Sequence, residues 1–199
     1  MDFSKLSPMQ LDVLQEVGNI GAGNAATSLS QLLNQKVDMT VPSVNIIPFD
    51  DIFSKIGVEE VVIGVIVRVL GDIPGNILYT LDKETALKFI SKLMGAEQEQ
   101  ITEIGSSALC EIGNIISSSF MNAIAKLTNL VLTPSVPAVA LDMMGAILST
   151  TFIEAGQFDE YILDLETQFL QENQKISGHF YYIPMPGSLE KILNSLGVN

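Results

Sequence analysis

The sequence predicts a single α/β domain of the α+β type, in which two similar halves each combine a long helix with several strands. The first observation is an internal duplication: Asp12–Asn19 and Ser107–Asn114 share one pattern, and matching positions lie 95 residues apart. The second is the helical periodicity of both copies, and the third is that β-branched or alternating runs follow each of them. We therefore expect one pseudo-symmetric domain over residues 1–199, with repeats at about 5–96 and 100–199.

Each copy of the pattern predicts the front part of a helix of about 25 residues, or about 40 Å. Ser7, Pro8 and Gln10 are typical of a helix start, since the hydroxyl and the amide can cap the first turn. Asn34 and Asn129 suit the left-handed position at a helix end. In the first helix the stripe that we expect to be buried comprises Leu11, Leu14, Gly18, Ala22, Ala25, Leu29 and Leu32.

The opposite face of each helix carries the candidate functional residues. These faces comprise Asp12, Glu16, Asn19 and Gly23 in the first helix, and Ser107, Glu111, Asn114 and Ser118 in the second. Residues three and four apart are neighbours on a helix, so each Glu and Asn face water together. Exposed Glu and Asn are common, but their repetition with a small residue one turn later favours a functional pair over two solvated side chains.

Strands, short helices and turns are predicted between and after the long helices. Two matching strands, Val37–Ile47 and Leu132–Leu141, are interrupted by Pro42 and Pro137, which cannot donate to a ladder. Two short helices are expected at Phe49–Ile56 and at about Asp142–Thr151. The remaining expected elements are a central strand at Glu59–Leu70, a hairpin turn at Gly71–Gly75, a strand at Asn76–Leu81, a helix capped by Asp82 and Gly95, a strand within Phe158–Leu170, and a last helix at Leu189–Gly197.

Composition excludes several classes of function. A net charge of −13 disfavours binding to nucleic acid or to an anionic membrane, so a protein partner is expected. Hydrophobic residues make up 47% of the chain, which argues against disorder, yet no stretch predicts a membrane span or an export signal. The single cysteine, Cys110, cannot form a disulfide within the chain, which fits the cytoplasm.

Three local features invite other interpretations that the sequence does not favour. Gly18–Gly23 is not a phosphate-binding loop, because no strand precedes it and no Lys-Ser/Thr follows; Gly18 and Gly21 should instead allow close helix packing. His179 is the only histidine, so metal clusters and Ser-His-Asp arrangements lack their parts. We expect His179 to be structural and Cys110 to be a small core residue.

The pattern resembles the signature of the CheC, CheX and FliY group of chemotaxis phosphatases, which dephosphorylate the response regulator CheY. The matching residues are Asp12 or Ser107, then Glu16 or Glu111, then Asn19 or Asn114, and finally Pro42 or Pro137. Both copies match in full. The resemblance implies two long helices lying side by side on a largely antiparallel sheet, related by a pseudo-twofold axis.

The resemblance also implies a mechanism. Asn19 or Asn114 would hold a water in line with the phosphorus of an aspartyl phosphate, and Glu16 or Glu111 would dock the regulator through its phosphate-contacting lysine. The regulator's own pocket would supply Mg²⁺, so the phosphatase would need no metal.

The resemblance implies a second partner and leaves an alternative open. CheC proteins bind the receptor deamidase CheD mainly through the short helix of the second half, which points to Asp142, Met143 and Ile147. A non-catalytic adaptor of the flagellar-switch or CheD-regulating class is the alternative function, although intact Asn residues at both sites argue against it.

The two sites are not expected to be equal. Helix one carries Gly18, Gly21 and Gly23 around Asn19, whereas helix two keeps only Gly113 of these. Interior glycines loosen a helix and cost about 1 kcal/mol each relative to alanine. The sequence therefore predicts that the Glu111/Asn114 site carries most of the activity.

Overall fold

The computed structural model describes residues 6–48, 51, 52, 54, 57–155, 161–171 and 174–198. Its helices are α1 (Pro8–Leu32), α2 (Lys83–Met94), α3 (Glu103–Thr128), α4 (Met144–Ala155) and α5 (Ser188–Ser195). Its strands are β1 (Asp38–Pro48), β2 (Val61–Gly71), β3 (Gly75–Leu81), β4 (Leu132–Pro134), β5 (Ala138–Met143), β6 (Tyr161–Gln171) and β7 (Gln174–Pro184). None of the described helices is both long and apolar enough to cross a bilayer.

The long helices begin and end as their sequences predict. Ser7 and Gln10 form a capping box at the start of α1, and the Thr102 hydroxyl accepts from the Gly105 amide at the start of α3. The two helices contain 25 and 26 residues. Asn34 and Asn129 have positive φ angles of 48° and 57°, which confirms their predicted left-handed conformation after each helix.

All strands of the described sheet pair antiparallel, in the order β1-β6-β7-β3-β2-β4, and β5 also pairs with β2. The long helices α1 and α3 pack on one face of the sheet together with α2 and α5, above the larger hydrophobic core. Helix α4 packs on the other face above a smaller core. The prediction of two long helices on a largely antiparallel sheet is confirmed.

Two predicted elements differ from the structure. The strand predicted at Leu132–Leu141 is divided into β4 and β5, because residues 135–137 leave the ladder with β2. The short helix predicted from Asp142 begins at Met144, since Asp142 and Met143 still pair with β2. The short helix predicted at Phe49–Ile56 falls mostly outside the described residues.

Candidate functional site

The motif residues lie on the outer faces of α1 and α3. Asp12, Glu16 and Asn19 are exposed on α1, because the apolar stripe on the other side of that helix faces the core. On α3, Ser107 and Glu111 are exposed, whereas Asn114 is half-buried. The structure therefore presents a Glu and an Asn on adjacent turns of each long helix, as the periodicity predicts.

At the first site, Asn19 is bonded to strand β1. The register of β1 against β6 shifts between Thr40 and Ser43, so Val41 and Pro42 form a β-bulge. The Val41 N–H donates to Oδ1 of Asn19 at 3.0 Å. One turn earlier on α1, Nε2 of Gln15 donates to the carbonyl oxygens of Val41 at 3.1 Å and Pro42 at 2.9 Å. Two amide side chains of α1 thus satisfy three backbone groups of the bulge.

At the second site, the corresponding contacts are fewer and weaker. Cys110 takes the place of Gln15, and its thiol, a weak donor, lies 3.6 Å from the Pro137 carbonyl oxygen. Among the described residues, Oδ1 of Asn114 accepts only from the Ser118 hydroxyl on its own helix, at a long 3.4 Å. The Asn114 amide is therefore not bonded to the proline-bearing segment.

The glycines behind the two sites are packing positions. A Cβ at Gly21 would lie 2.9 Å from the Phe120 Cα of α3, and a Cβ at Gly113 would overlap Cγ1 of Val65 in β2. These contacts confirm that Gly21 permits close packing of the long helices. A Cβ at Gly18 would likewise lie 2.8 Å from Cδ2 of Leu165. Two of the three glycines around Asn19 are therefore tightly packed, which contradicts the expectation that they loosen the first helix.

The carboxylates of the sites are available to a partner. Within the described part of the chain, neither Glu16 nor Glu111 has an ion pair or a hydrogen bond to its side chain. The same part contains no group of three His, Cys, Asp or Glu side chains that could hold a metal ion. Each site thus offers one carboxylate and one amide, which can bind and orient a partner.

The residues predicted to contact a second partner divide between surface and core. Asp142 is exposed, and Met143 is 49% exposed at the end of edge strand β5. Ile147 is only 4% exposed and packs over Gly64 in the smaller core. The prediction that Ile147 contacts a partner is wrong, because its side chain is buried between α4 and the sheet.

The environments of the single histidine, His179, and the single cysteine, Cys110, favour structural over catalytic roles. Nδ1 of His179 lies 3.1 Å from Oδ1 of the buried Asp164, and this hydrogen bond raises the pKa of His179 above its usual value. The His179 ring stacks on Tyr181. Partial burial raises the pKa of the Cys110 thiol, which leaves little reactive thiolate at neutral pH.

Sequence reasoning missed Gln15, whose amide holds the first bulge, and did not predict that the hydroxyl of Ser118 would contact Asn114. A signal for Gln15 was present: it lies four residues before Asn19, on the side of the helix that meets Val41 and Pro42. No sequence signal indicated that the bulge amide would bond to Asn19.

Comparison with known proteins gives the family. A family model described as CheC-like matches residues 9–46 and 104–141, the two stretches that contain the motifs and their prolines. Over 99% of its length the chain is 37% identical to the CheY-P phosphatase CheC of Bacillus subtilis, and it covers 98% of that protein. The chain belongs to the CheC-like family. A second relative is the flagellar motor switch phosphatase FliY of B. subtilis, which is 31% identical over 70% of this CheC-like chain; the match spans 38% of FliY.

Solved structures share the fold of this CheC-like chain. The crystal structure of Thermotoga maritima FliY aligns with a TM-score of 0.82 at 24% identity, covering 96% of this chain and 98% of that one. The FliM middle domain from H. pylori aligns with a TM-score of 0.69 at 14% identity, covering 96% and 99%. At these identities the likeness shows the fold alone.

Proposed function

We propose that this chain is a hydrolase that removes the phosphoryl group from the aspartyl phosphate of a CheY-type response regulator. The names of its CheC and FliY relatives support the reaction. One observation on this chain carries the proposal: each long helix has the motif Glu and Asn on adjacent turns. Both Glu residues and Asn19 are exposed, and Asn114 is half-buried. A site of this kind can reach into the pocket of another protein.

Asn19 and Asn114 are the residues that would act on the attacking water. An amide can accept a hydrogen from water through Oδ1 and donate to it through Nδ2, so it can hold the water in line with the phosphorus. It cannot remove a proton as a base would. The rate gain therefore comes from positioning, and the regulator's own Mg²⁺ would stabilise the charge on the phosphoryl oxygens.

Glu16 and Glu111 are the docking residues of the proposal. Each carboxylate is exposed and without an intramolecular partner among the described residues, so pairing with a lysine of the regulator displaces no existing bond. Such a pair would fix the helix in the pocket and set the position of the Asn one turn later. Asp12 and Ser107 lie one turn before these residues, at the edge of the same faces.

Release of radiolabelled phosphate from a phosphorylated regulator tests this function. We expect release in excess of the regulator's own rate when Mg²⁺ is present, and loss of that excess when EDTA removes the regulator's metal. Binding of the phosphorylated regulator with no added release would contradict the hydrolase and favour the adaptor alternative.

A CheD-type deamidase is the second proposed partner, and the cytoplasm is the proposed location. Support comes from the surface position of Asp142 and Met143 beside the start of α4. Calorimetric titration with purified CheD tests the partner. Asp142→Lys should weaken binding, and the more distant substitution Glu84→Lys on the exposed side of α2 serves as the charge-matched control; equal affinities would remove Asp142 from the interface.

A further inference from the structure

Two valines that correspond at the offset of 95 differ strongly in exposure. Val41, in the bulge of β1, is 1% exposed, whereas Val136, which precedes Pro137, is 88% exposed. Single exposed apolar residues are common on protein surfaces. This one stands out because the matching residue beside the first site is in the core.

The hydrogen bonds at the two sites account for the difference. At the first site, Gln15 and Asn19 bind the backbone of Val41 on both its N–H and its carbonyl side, and this turns the valine inward. At the second site, the thiol of Cys110 is the only donor that the described part of the long helix α3 offers to the segment, and residues 135–137 lie between β4 and β5 rather than in the ladder. The Val136 side chain is thus left outside the core.

The segment that carries Val136 is nevertheless held in place. The Ser135 N–H donates to the Arg68 carbonyl, and the Arg68 N–H donates to the Ser135 hydroxyl oxygen, each at 2.9 Å. On the other side, the Pro137 carbonyl contacts Cys110, which directly precedes Glu111 and lies one turn before Asn114. Val136 therefore presents an exposed apolar side chain from a backbone that is held on both sides, at the border of the second site. A contact that is already ordered loses little entropy on binding.

We propose that Val136 is a docking contact through which the phosphorylated regulator binds the second site, with no counterpart at the first. This inference rests on the proposed function, which supplies the occupant. The regulator that inserts its phosphorylated pocket over Asn114 covers the neighbouring surface, and an apolar side chain there gains by leaving water. Burial of one valine is worth about tenfold in affinity.

The test separates binding from turnover at each site. Val136→Ser is made in an Asn19→Ala background, where only the second site acts, and in an Asn114→Ala background, where only the first acts. At the second site KM should rise about tenfold with kcat within about twofold. At the first site neither constant should change. Val131→Ser is the matched control, since Val131 is 67% exposed and its hydrogen bonds with Asp72 are made by its backbone.

A binding measurement keeps the inference independent of turnover. In a Glu16→Lys background, which blocks docking at the first site, affinity for regulator activated with beryllofluoride should fall about tenfold with Val136→Ser and stay unchanged with Val131→Ser. An unchanged KM and an unchanged affinity would overturn the docking contact while leaving the phosphatase intact. Absence of phosphate release by the unsubstituted chain would instead overturn the phosphatase, and the affinity ratio would then decide on Val136 alone.

Discussion

The two Asn residues of the motif stand on equivalent turns of α1 and α3 but are held by different parts of the molecule. Asn19 is a bridge between its helix and the bulge of β1, and its carbonyl oxygen accepts the buried Val41 N–H. Within the part of the chain that the structure describes, the side chain of Asn114 is hydrogen-bonded only to Ser118, four residues later on the same helix. The same motif residue thus bonds to the sheet backbone at the first site but not at the second, and the strand beside each helix decides which of the two occurs.

The source of this difference is one substitution between the halves. Gln15 has an amide long enough to donate to two carbonyl oxygens of the bulge, whereas Cys110 has one weak donor on a short side chain. Strand β1 continues through its proline, whereas the matching residues 135–137 of the second half lie outside the ladder, between β4 and β5. Pro42 and Pro137 alone do not set the local structure.

The largest expected difference concerns the glycines behind the two sites. Gly113→Ala would place a Cβ against the branched side chain of Val65 and should destabilise the fold by about 1–3 kcal/mol. Gly18→Ala meets the flexible end of Leu165, and its gain in helix propensity offsets part of that contact, so its cost should stay below about 1 kcal/mol. Urea unfolding of both variants measures the two values. Equal losses would show that Leu165 is as rigid as Val65.

The next effect separates the structural roles of the two Asn residues. Asn19→Ala leaves the buried Val41 N–H without its acceptor and should reduce the free energy of unfolding by about 1–3 kcal/mol. Asn114→Ala removes one long contact and should change stability by less than about 0.5 kcal/mol. Chemical unfolding of the two variants tests the difference. A stability loss from Asn114→Ala as large as that from Asn19→Ala would contradict the unequal bonding.

The smallest expected effect is the difference in rate between the sites. A water that attacks phosphorus donates its hydrogens to nearby acceptors, and Oδ1 of Asn19 is already engaged by Val41. Sharing or breaking that bond should cost about 0.5–1.5 kcal/mol, so the second site should turn over roughly 2–10-fold faster. The order matches the expectation from the sequence, but for a different reason. Single Asn19→Ala and Asn114→Ala variants at equal concentration decide it, and a larger loss from Asn19→Ala would reverse the order.

Local signals in the sequence predicted a large part of the fold. Caps at Ser7 and Thr102, left-handed Asn34 and Asn129, and the exposed face of each long helix follow from interactions within a few residues. The break between β4 and β5 could not be predicted in this way, because it depends on whether a distant helix residue satisfies the backbone. Ile147 was misassigned for a related reason: an apolar helix face has the same pattern whether it meets a sheet or a partner.

The sequence predicted which residues form the site, but not the hydrogen bonds that they make. The spacing of Glu16 and Asn19 is sufficient to place them on adjacent turns. It carries no information about which backbone group an amide will meet, and so the bond from Val41 to Asn19 required the structure.

In the proposed reaction Asn19 and Asn114 together carry the turnover, and phosphate release by the double Asn→Ala variant tests this role. We expect release to fall to the regulator's own rate while affinity for beryllofluoride-activated regulator stays within about threefold, because positioning of water is lost and docking is kept. Glu16→Lys with Glu111→Lys is the complementary variant, and it should weaken binding itself by placing like charges together. Phosphate release by the double Asn→Ala variant above the regulator's own rate would show that neither Asn positions the attacking water.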